Sequence, residues 1–488
     1  MKSFFRKYKT VLLFILVISL HFRVFIRHKP MEYYSDSYIY LDLAKNLDTR
    51  HAYQLTKGEE NIYSFYPPVY SSFIVIMHRL FHTDYKASVD WISYLSLVLF
   101  IFFFYQITRL YFQKEKWRIS LTVLVTFSLY PYFFIALSEH IFLALFMMQM
   151  YALLKWEKSL QKKLLFGAGI LAGVMILTRY AAIGIAGAQL IWLTSLIYQR
   201  KLKFSNLLVF IAPVLLIYGG WHALLIANNT STMGRKMLLH LPGKEHLKDL
   251  LKSFLNWLVP GATPYLFIPA VAGLAWLVFR YKNHLKDLLR QENIRIWWIN
   301  LVVYLVFITL IIGFLDHSTS YDFRLLIPVY FSFVFILSKF LESILADTSD
   351  KIPGIFCALI VLSYSIHFVQ FNLYSGPKVY SSELRELLQN NDKYIYTNTT
   401  DLLPGYVKND TLILQIPFKY DPKTSLENKD FPQKTAEMYR QIENGEAVIM
   451  YFDGYEDWDF CPSKAEILQN LKAIHQLDFP EGSVIEKE

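Results

Sequence analysis

Along most of the chain, apolar windows alternate with short polar connections. The opening MKSFFRKYKT is basic and runs into VLLFILVISLHFRVFI, which ends without the small-residue cleavage site of a removable leader, so it reads as an uncleaved first span. Further windows fall near 90–112, 119–136, 138–154, 164–180, 181–198, 207–227, 264–279, 296–315, 324–341 and 353–372. An upright helix crosses the hydrocarbon layer with about 20 apolar residues, so the pattern predicts about eleven spans, several of them short. From residue 376 the period changes. KYIYTNTT (393–400), TLILQIP (411–417) and AVIMYFDG (447–454) alternate in the manner of strands, and helical spacing lies near 381–390, 433–443 and 463–475. The expected architecture is a polytopic α-helical membrane protein over 1–375, followed by a small α/β domain over 376–488 that can bury its own core.

Composition agrees with the pattern: 54% hydrophobic residues, 18% charged and a mean hydropathy of +0.29 exclude an ordinary soluble protein. The net charge of +9 is unevenly divided, which argues against a nucleic-acid partner. From residue 376 onward 12 Lys and Arg face 20 Asp and Glu, a net of −8, so the preceding part holds 37 against 20, a net of +17. That surplus sits in alternate loops: QKEKWR (113–118), KWEKSLQKK (155–163), QRKLKFS (199–205) and RYKNHLKDLLRQENIR (280–295) are basic, whereas PYFFIALSE (131–139) and DHSTSYDF (316–323) have neither Lys nor Arg. Basic loops stay on the cytoplasmic side, so the N-terminus is expected inside. The 28–89 loop, the 227–263 loop and everything after about 373 are expected outside, as in a bacterial inner membrane. Within the second of those loops, Leu247, Leu250, Leu251, Phe254, Leu255 and Leu258 predict an amphipathic helix over 244–258 lying on the outer leaflet. Cys357 and Cys461 lie in different environments and suggest neither a disulfide framework nor a metal cluster, and the sequons at Asn228, Asn229, Asn398 and Asn409 read as chance.

Three function classes fit such a chain: a transporter or flippase, an enzyme at the outer membrane face, or a scaffold. Transporters tend to carry ionisable groups at mid-membrane and repeated halves. Here the exceptional charges stand at outer span ends, Glu139 opening the fourth, Arg179 closing the fifth and Arg324 opening the tenth. They converge on the side of the polar, aromatic 31–70 loop, which holds Asp36. Each has a bland alternative. Asp36 suits the N-cap of SYIYLDLAKNL, and the arginines suit snorkelling to headgroups. Tyr66-Pro67-Pro68 suits a helix start, His317 beside Asp316 a solvated loop, and the loop tyrosines an interfacial belt.

Five short motifs in a fixed order, YYSDSYIYLDLAKNL, FYPPVYSSFIVIMHRL, LSEHIFLALF, ILTRY and FRLLIPVYF, carry a resemblance. The chain resembles the GT-C superfamily of polyprenyl-phosphate-sugar-dependent glycosyltransferases, near the protein O-mannosyltransferase and lipid A aminoarabinose transferase branch. The resemblance implies a donor sugar on a polyprenyl phosphate, a hydroxyl acceptor on a lipid, glycan or protein, and inversion at the anomeric carbon. It implies Asp36 as general base, which takes the acceptor proton. Arg179 or Arg324 would clamp the departing phosphate, since a guanidinium fork pairs with phosphate bidentately. Glu139 would face the outer cavity, Tyr66, Pro67 and Pro68 would head an interfacial helix with backbone donors for an anion, and His317 would serve as donor or relay. Where the family often has Asp-Glu, this chain has Asp36-Ser37, so no cofactor is assigned and a divalent cation stays open.

Overall fold

The computed structural model describes residues 35–55, 62, 64–228, 248, 250, 251, 253, 264–315, 323–344, 381–398, 413–417, 419, 428–452, 462–479 and 482–487. Contacts divide the chain into two compact units, one taking 1–32 and 39–373, the other 33–38 and 374–488.

The first unit is helical. After α1 (Ser35–Thr49), which begins in the second unit, come α2 (Val69–Phe81), α3 (Tyr85–Tyr111), α4 (Glu115–Leu129) and a 3₁₀ turn over Tyr130–Phe133. Then follow α5 (Glu139–Ser159), α6 (Lys162–Ile176), α7 (Ala182–Tyr198), α8 (Phe204–Ala227), α9 (Pro264–Arg280), α10 (Lys282–Arg290), α11 (Glu292–Leu310), a π turn over Ile311–Leu315, and α12 (Phe323–Ile344). Among the described residues four helices, Tyr85–Tyr111, Phe204–Ala227, Glu292–Phe314 and Arg324–Ile344, are long and apolar enough to cross a membrane. The first apolar run and the 353–372 window lie outside the described residues, as does most of the 244–258 segment, of which Lys248, Leu250, Leu251 and Ser253 are helical.

Two departures from the sequence pattern have local causes. The 119–136 window is not one helix, because Pro131 cannot donate to a continuing ladder and the chain tightens into the 3₁₀ turn. The basic 280–295 connection is not a loop: KNHLKDLLR forms α10, with Leu288 buried and its charges exposed.

Polar contacts sort the helix ends into two sets. At one end the Tyr111 hydroxyl donates to the Asn293 carbonyl (2.7 Å), Lys158 donates to the Leu110 carbonyl (3.3 Å), Lys201 pairs with Glu292, and Lys339 donates to the Tyr111 carbonyl (3.0 Å). These are the basic connections. At the other end the Tyr180 hydroxyl donates to the Ser64 carbonyl (2.9 Å) and the Val69 N–H to the Leu177 carbonyl (3.0 Å). Between the ends, Phe100, Phe104, Phe331, Phe335 and Trp297 pack as an aromatic core, Trp297 stacked on Phe335 at 4.2 Å. Small residues let α6 and α8 approach: a Cβ on Gly169 would stand 2.4 Å from the Phe210 carbonyl oxygen.

The second unit is built on a five-stranded sheet in the order β2-β1-β3-β5-β4. β1 (Tyr394–Thr397) lies parallel to β2 (Ile413–Gln415) and β3 (Ala447–Phe452), while β5 (Gly482–Lys487) is antiparallel to β3 and to β4 (Ile474–Phe479). The fully buried AVIMYF of β3 reads as a continuous apolar run because both faces are covered. Leu384 and Leu388 of α13 (Ser382–Asn390) pack on one face, and Met438 and Ile442 of α14 (Phe431–Glu443) pack on the other with Ile467 of α15 (Lys464–Asn470). The β4–β5 hairpin was not predicted. The helical spacing expected to 475 ends at Asn470, and the chain turns into β4. Asn398 exchanges two hydrogen bonds with the Phe452 backbone, both 2.9 Å, and is buried, so that sequon lacks room for a glycan.

Candidate active site

Glu139 is the first residue of α5, where a carboxylate complements the helix dipole, and it is 2% exposed. A buried carboxylate needs a counter-charge. It has two: Arg179, in the connection between α6 and α7, forms a close ion pair with Glu139 Oε1, and Arg324, in the first turn of α12, stands 3.6 Å from the same oxygen. Three sequence positions nearly 200 residues apart, each chosen as an outer span end, thus meet at one carboxylate. The Arg179 and Arg324 side chains keep 20% and 34% of their surface exposed, so both forks are reachable from outside the pair.

An aromatic wall adjoins the neighbours of Glu139. The Tyr40 hydroxyl donates to Ser138 Oγ (3.3 Å), and Tyr70 Oη lies 3.2 Å from His140 Nε2. The Tyr40 ring packs edge-on against Tyr66 (4.9 Å) and Tyr70 (4.8 Å). Tyr40 and Tyr70 are buried, so these rings are internal packing rather than a belt at the headgroups.

Tyr66, Pro67 and Pro68 lead into α2, as proline does at a first turn. The Tyr53 hydroxyl lies 3.2 Å from the Tyr66 carbonyl and 3.0 Å from the Pro67 carbonyl, and the Val69 N–H is taken by Leu177, two residues before Arg179. One of the backbone donors expected to serve an anion therefore fastens α2 to the end of α6. Trp221 Nε1 donates to the Tyr180 hydroxyl (3.0 Å), joining α8 to the same corner. Tyr53 lies in the 31–70 loop and Tyr180 ends the ILTRY motif, but the sequence gives neither a role of its own and does not point to Trp221.

A second polar cluster, also unforeseen, ties three helices. Arg79 Nε donates to Asp48 Oδ1 (2.5 Å), the Tyr85 hydroxyl to Asp48 Oδ2 (2.8 Å), and His78 lies 3.5 Å away. Burial alone would raise the Asp48 pKa, but Tyr85, Arg79 and His78 together hold it below its ordinary value.

Asp36 lies in the first turn of α1, half-buried, among the residues grouped with the second unit. His317 lies outside the described residues. Among the described residues no group of three His, Cys, Asp or Glu could hold a metal ion.

Residues 66–220 match the family model described as dolichyl-phosphate-mannose-protein mannosyltransferase. No curated protein matches the chain. Among solved structures it is similar to ArnT from Cupriavidus metallidurans, in the apo state (TM-score 0.63, 11% identity) and bound to undecaprenyl phosphate (TM-score 0.62, 12% identity), each covering 97% of both chains. It is also similar to the Archaeoglobus fulgidus oligosaccharyltransferase tethered with an acceptor peptide (TM-score 0.50, 13% identity, 92% of this chain and 70% of that one). The chain therefore has the fold of the GT-C membrane glycosyltransferases, the superfamily its sequence resembles.

Proposed function

We propose that this protein is an integral-membrane glycosyltransferase that moves a sugar from a polyprenyl-phosphate donor to a hydroxyl of a lipid, glycan or protein acceptor. It would work at the outer face of a bacterial inner membrane, with the N-terminus cytoplasmic and the domain over 376–488 outside. The observation that carries this reading is the convergence of Arg179 and Arg324 on buried Glu139 at the end of the bundle opposite its basic connections. Supporting it, ArnT, of the same fold, is a protein bound to undecaprenyl phosphate.

In the reaction, the acceptor hydroxyl loses its proton to the Asp36 carboxylate as its oxygen attacks the anomeric carbon. The new C–O bond forms on the face opposite the leaving group. The bond to the phosphate oxygen breaks and its electron pair stays on the polyprenyl phosphate, so the anomeric centre inverts. Arg179 and Arg324 stabilise the charge gained by that phosphate, and Glu139 positions both forks. Tyr66, Pro67 and Pro68 set the wall beside them, and His317 would serve as donor or relay.

The test is transfer from a defined polyprenyl-phosphate sugar in proteoliposomes. Asp36→Asn should lower the rate about 10²–10⁴-fold, the range of a general base, while leaving donor binding intact. Undiminished transfer by the inserted variant would remove Asp36 from the mechanism. Accumulation of substrate across sealed vesicles without any transferred sugar would replace the enzyme by a transporter.

A further inference from the structure

An open cavity of about 750 Å³ lies in the second unit on the α14 face of the sheet, where Tyr396 of β1 and Ile416 after β2 meet the helix. From β1 the chain goes to β2 on one side and then to β3 on the other, all three parallel, so strand order reverses between β1 and β3. The cavity lies on the β1–β2 side of that reversal, beside the carboxyl end of β2, and its volume is that of a small-molecule site.

The lining has two characters. Leu414, Ile416 and Pro417 form an apolar strip, while Gln433 and Glu437, one turn apart on α14, bring an amide and a carboxylate. The polar part is held in place by the protein: Tyr396 donates to Gln441 (3.0 Å), Gln441 donates to Glu437 (2.9 Å), and Arg440 donates to both Glu437 oxygens (2.6 and 3.1 Å). Such pre-organisation lowers the entropy lost on binding. Charge narrows the ligand. Asp430 pairs with Lys434 and Glu437 with Arg440, so the polar side of the cavity carries no net charge, which suits a ligand that is itself uncharged. A purely apolar ligand would strip water from the amides and carboxylates without replacing its hydrogen bonds. A neutral polyol suits both parts, since its hydroxyls donate to carboxylates and accept from amides while a ring's C–H face covers the apolar strip.

We propose that this cavity is a binding site for a neutral saccharide. The inference uses residues of the second unit alone and stands apart from the transferase reading. Its test uses the full chain in a detergent without a sugar headgroup, with maltotriose and methyl α-mannopyranoside titrated by saturation-transfer NMR, and glucose 6-phosphate and inorganic phosphate as anionic probes. At least one neutral sugar should bind saturably. Gln433→Ala and Glu437→Gln should each weaken it about tenfold, as expected for one lost hydrogen bond to an amide or charged group, while Lys472→Ala on another surface should not. Gln433 is exposed, so its variant should fold, and a melting curve checks this. Wild-type affinity in both folded variants, tighter binding of the anionic probes, or no binding of either neutral sugar by the folded protein would each overturn the proposal.

Discussion

At the scale of single residues, Glu139 carries the electrostatics of the candidate site. Removing its charge leaves Arg179 and Arg324 facing each other in a largely buried corner, and breaking a buried ion pair costs about 3–5 kcal/mol. Glu139→Gln should therefore lower the detergent melting temperature and reduce transfer at least about tenfold; a variant with wild-type melting and turnover would show that the carboxylate does not hold the arginines. Arg179→Lys keeps the charge and loses the planar fork, so under the proposed function its defect should appear chiefly as weaker binding of a polyprenyl phosphate, read by titration with the lipid. The sequence marked all three residues as charges at span ends of one side. That they share one oxygen was illegible, because α5, the α6–α7 connection and α12 are brought together by packing and not by spacing.

At the scale of elements, two contacts make opposed predictions. Gly169 and Gly167 both lie on α6, but a Cβ on Gly169 would meet the Phe210 carbonyl at 2.4 Å and Pro213 at 2.6 Å, whereas one on Gly167 would meet nothing within 4 Å. Gly169→Ala should destabilise by about 1–3 kcal/mol through overpacking, and Gly167→Ala should be neutral or slightly stabilising through helix propensity. Equal melting shifts for the two would mean that α6 and α8 do not pack as described. The Asp48 clasp predicts a pH dependence. Its pKa is lowered by folding, so the clasp stabilises above the ordinary value of 3.8 and weakens as pH falls through the lower folded value. The stability gap between wild type and Asp48→Asn should be level from pH 7 to about 5 and close below about 4. A gap that closes on raising pH would reverse the assignment. Neither contact was legible, since Asp48 reads as an ordinary helix-end carboxylate and the glycines as generic small residues of a span.

At the scale of the whole molecule, the two sets of helix ends in the first unit predict labelling. A single cysteine placed at Lys201 or Lys282, after replacing Cys357 and Cys461, should react with a membrane-impermeant maleimide only after permeabilisation. One at His82 should react in intact spheroplasts, because His82 follows α2 on the side opposite the basic connections. The reverse pattern would invert the proposed orientation. By itself the sequence determined where helices and strands form over most of the described residues, which helix ends share a side, and the superfamily likeness. Those depend on local hydrophobic period and on loop charge, both written along the chain. Only the tertiary structure decided that Glu139 gathers two arginines, that Val69 fastens α2 to the end of α6, and that the second unit's sheet includes the β4–β5 hairpin. Each is a contact between segments far apart in sequence or a choice settled by burial, and no local pattern encodes it.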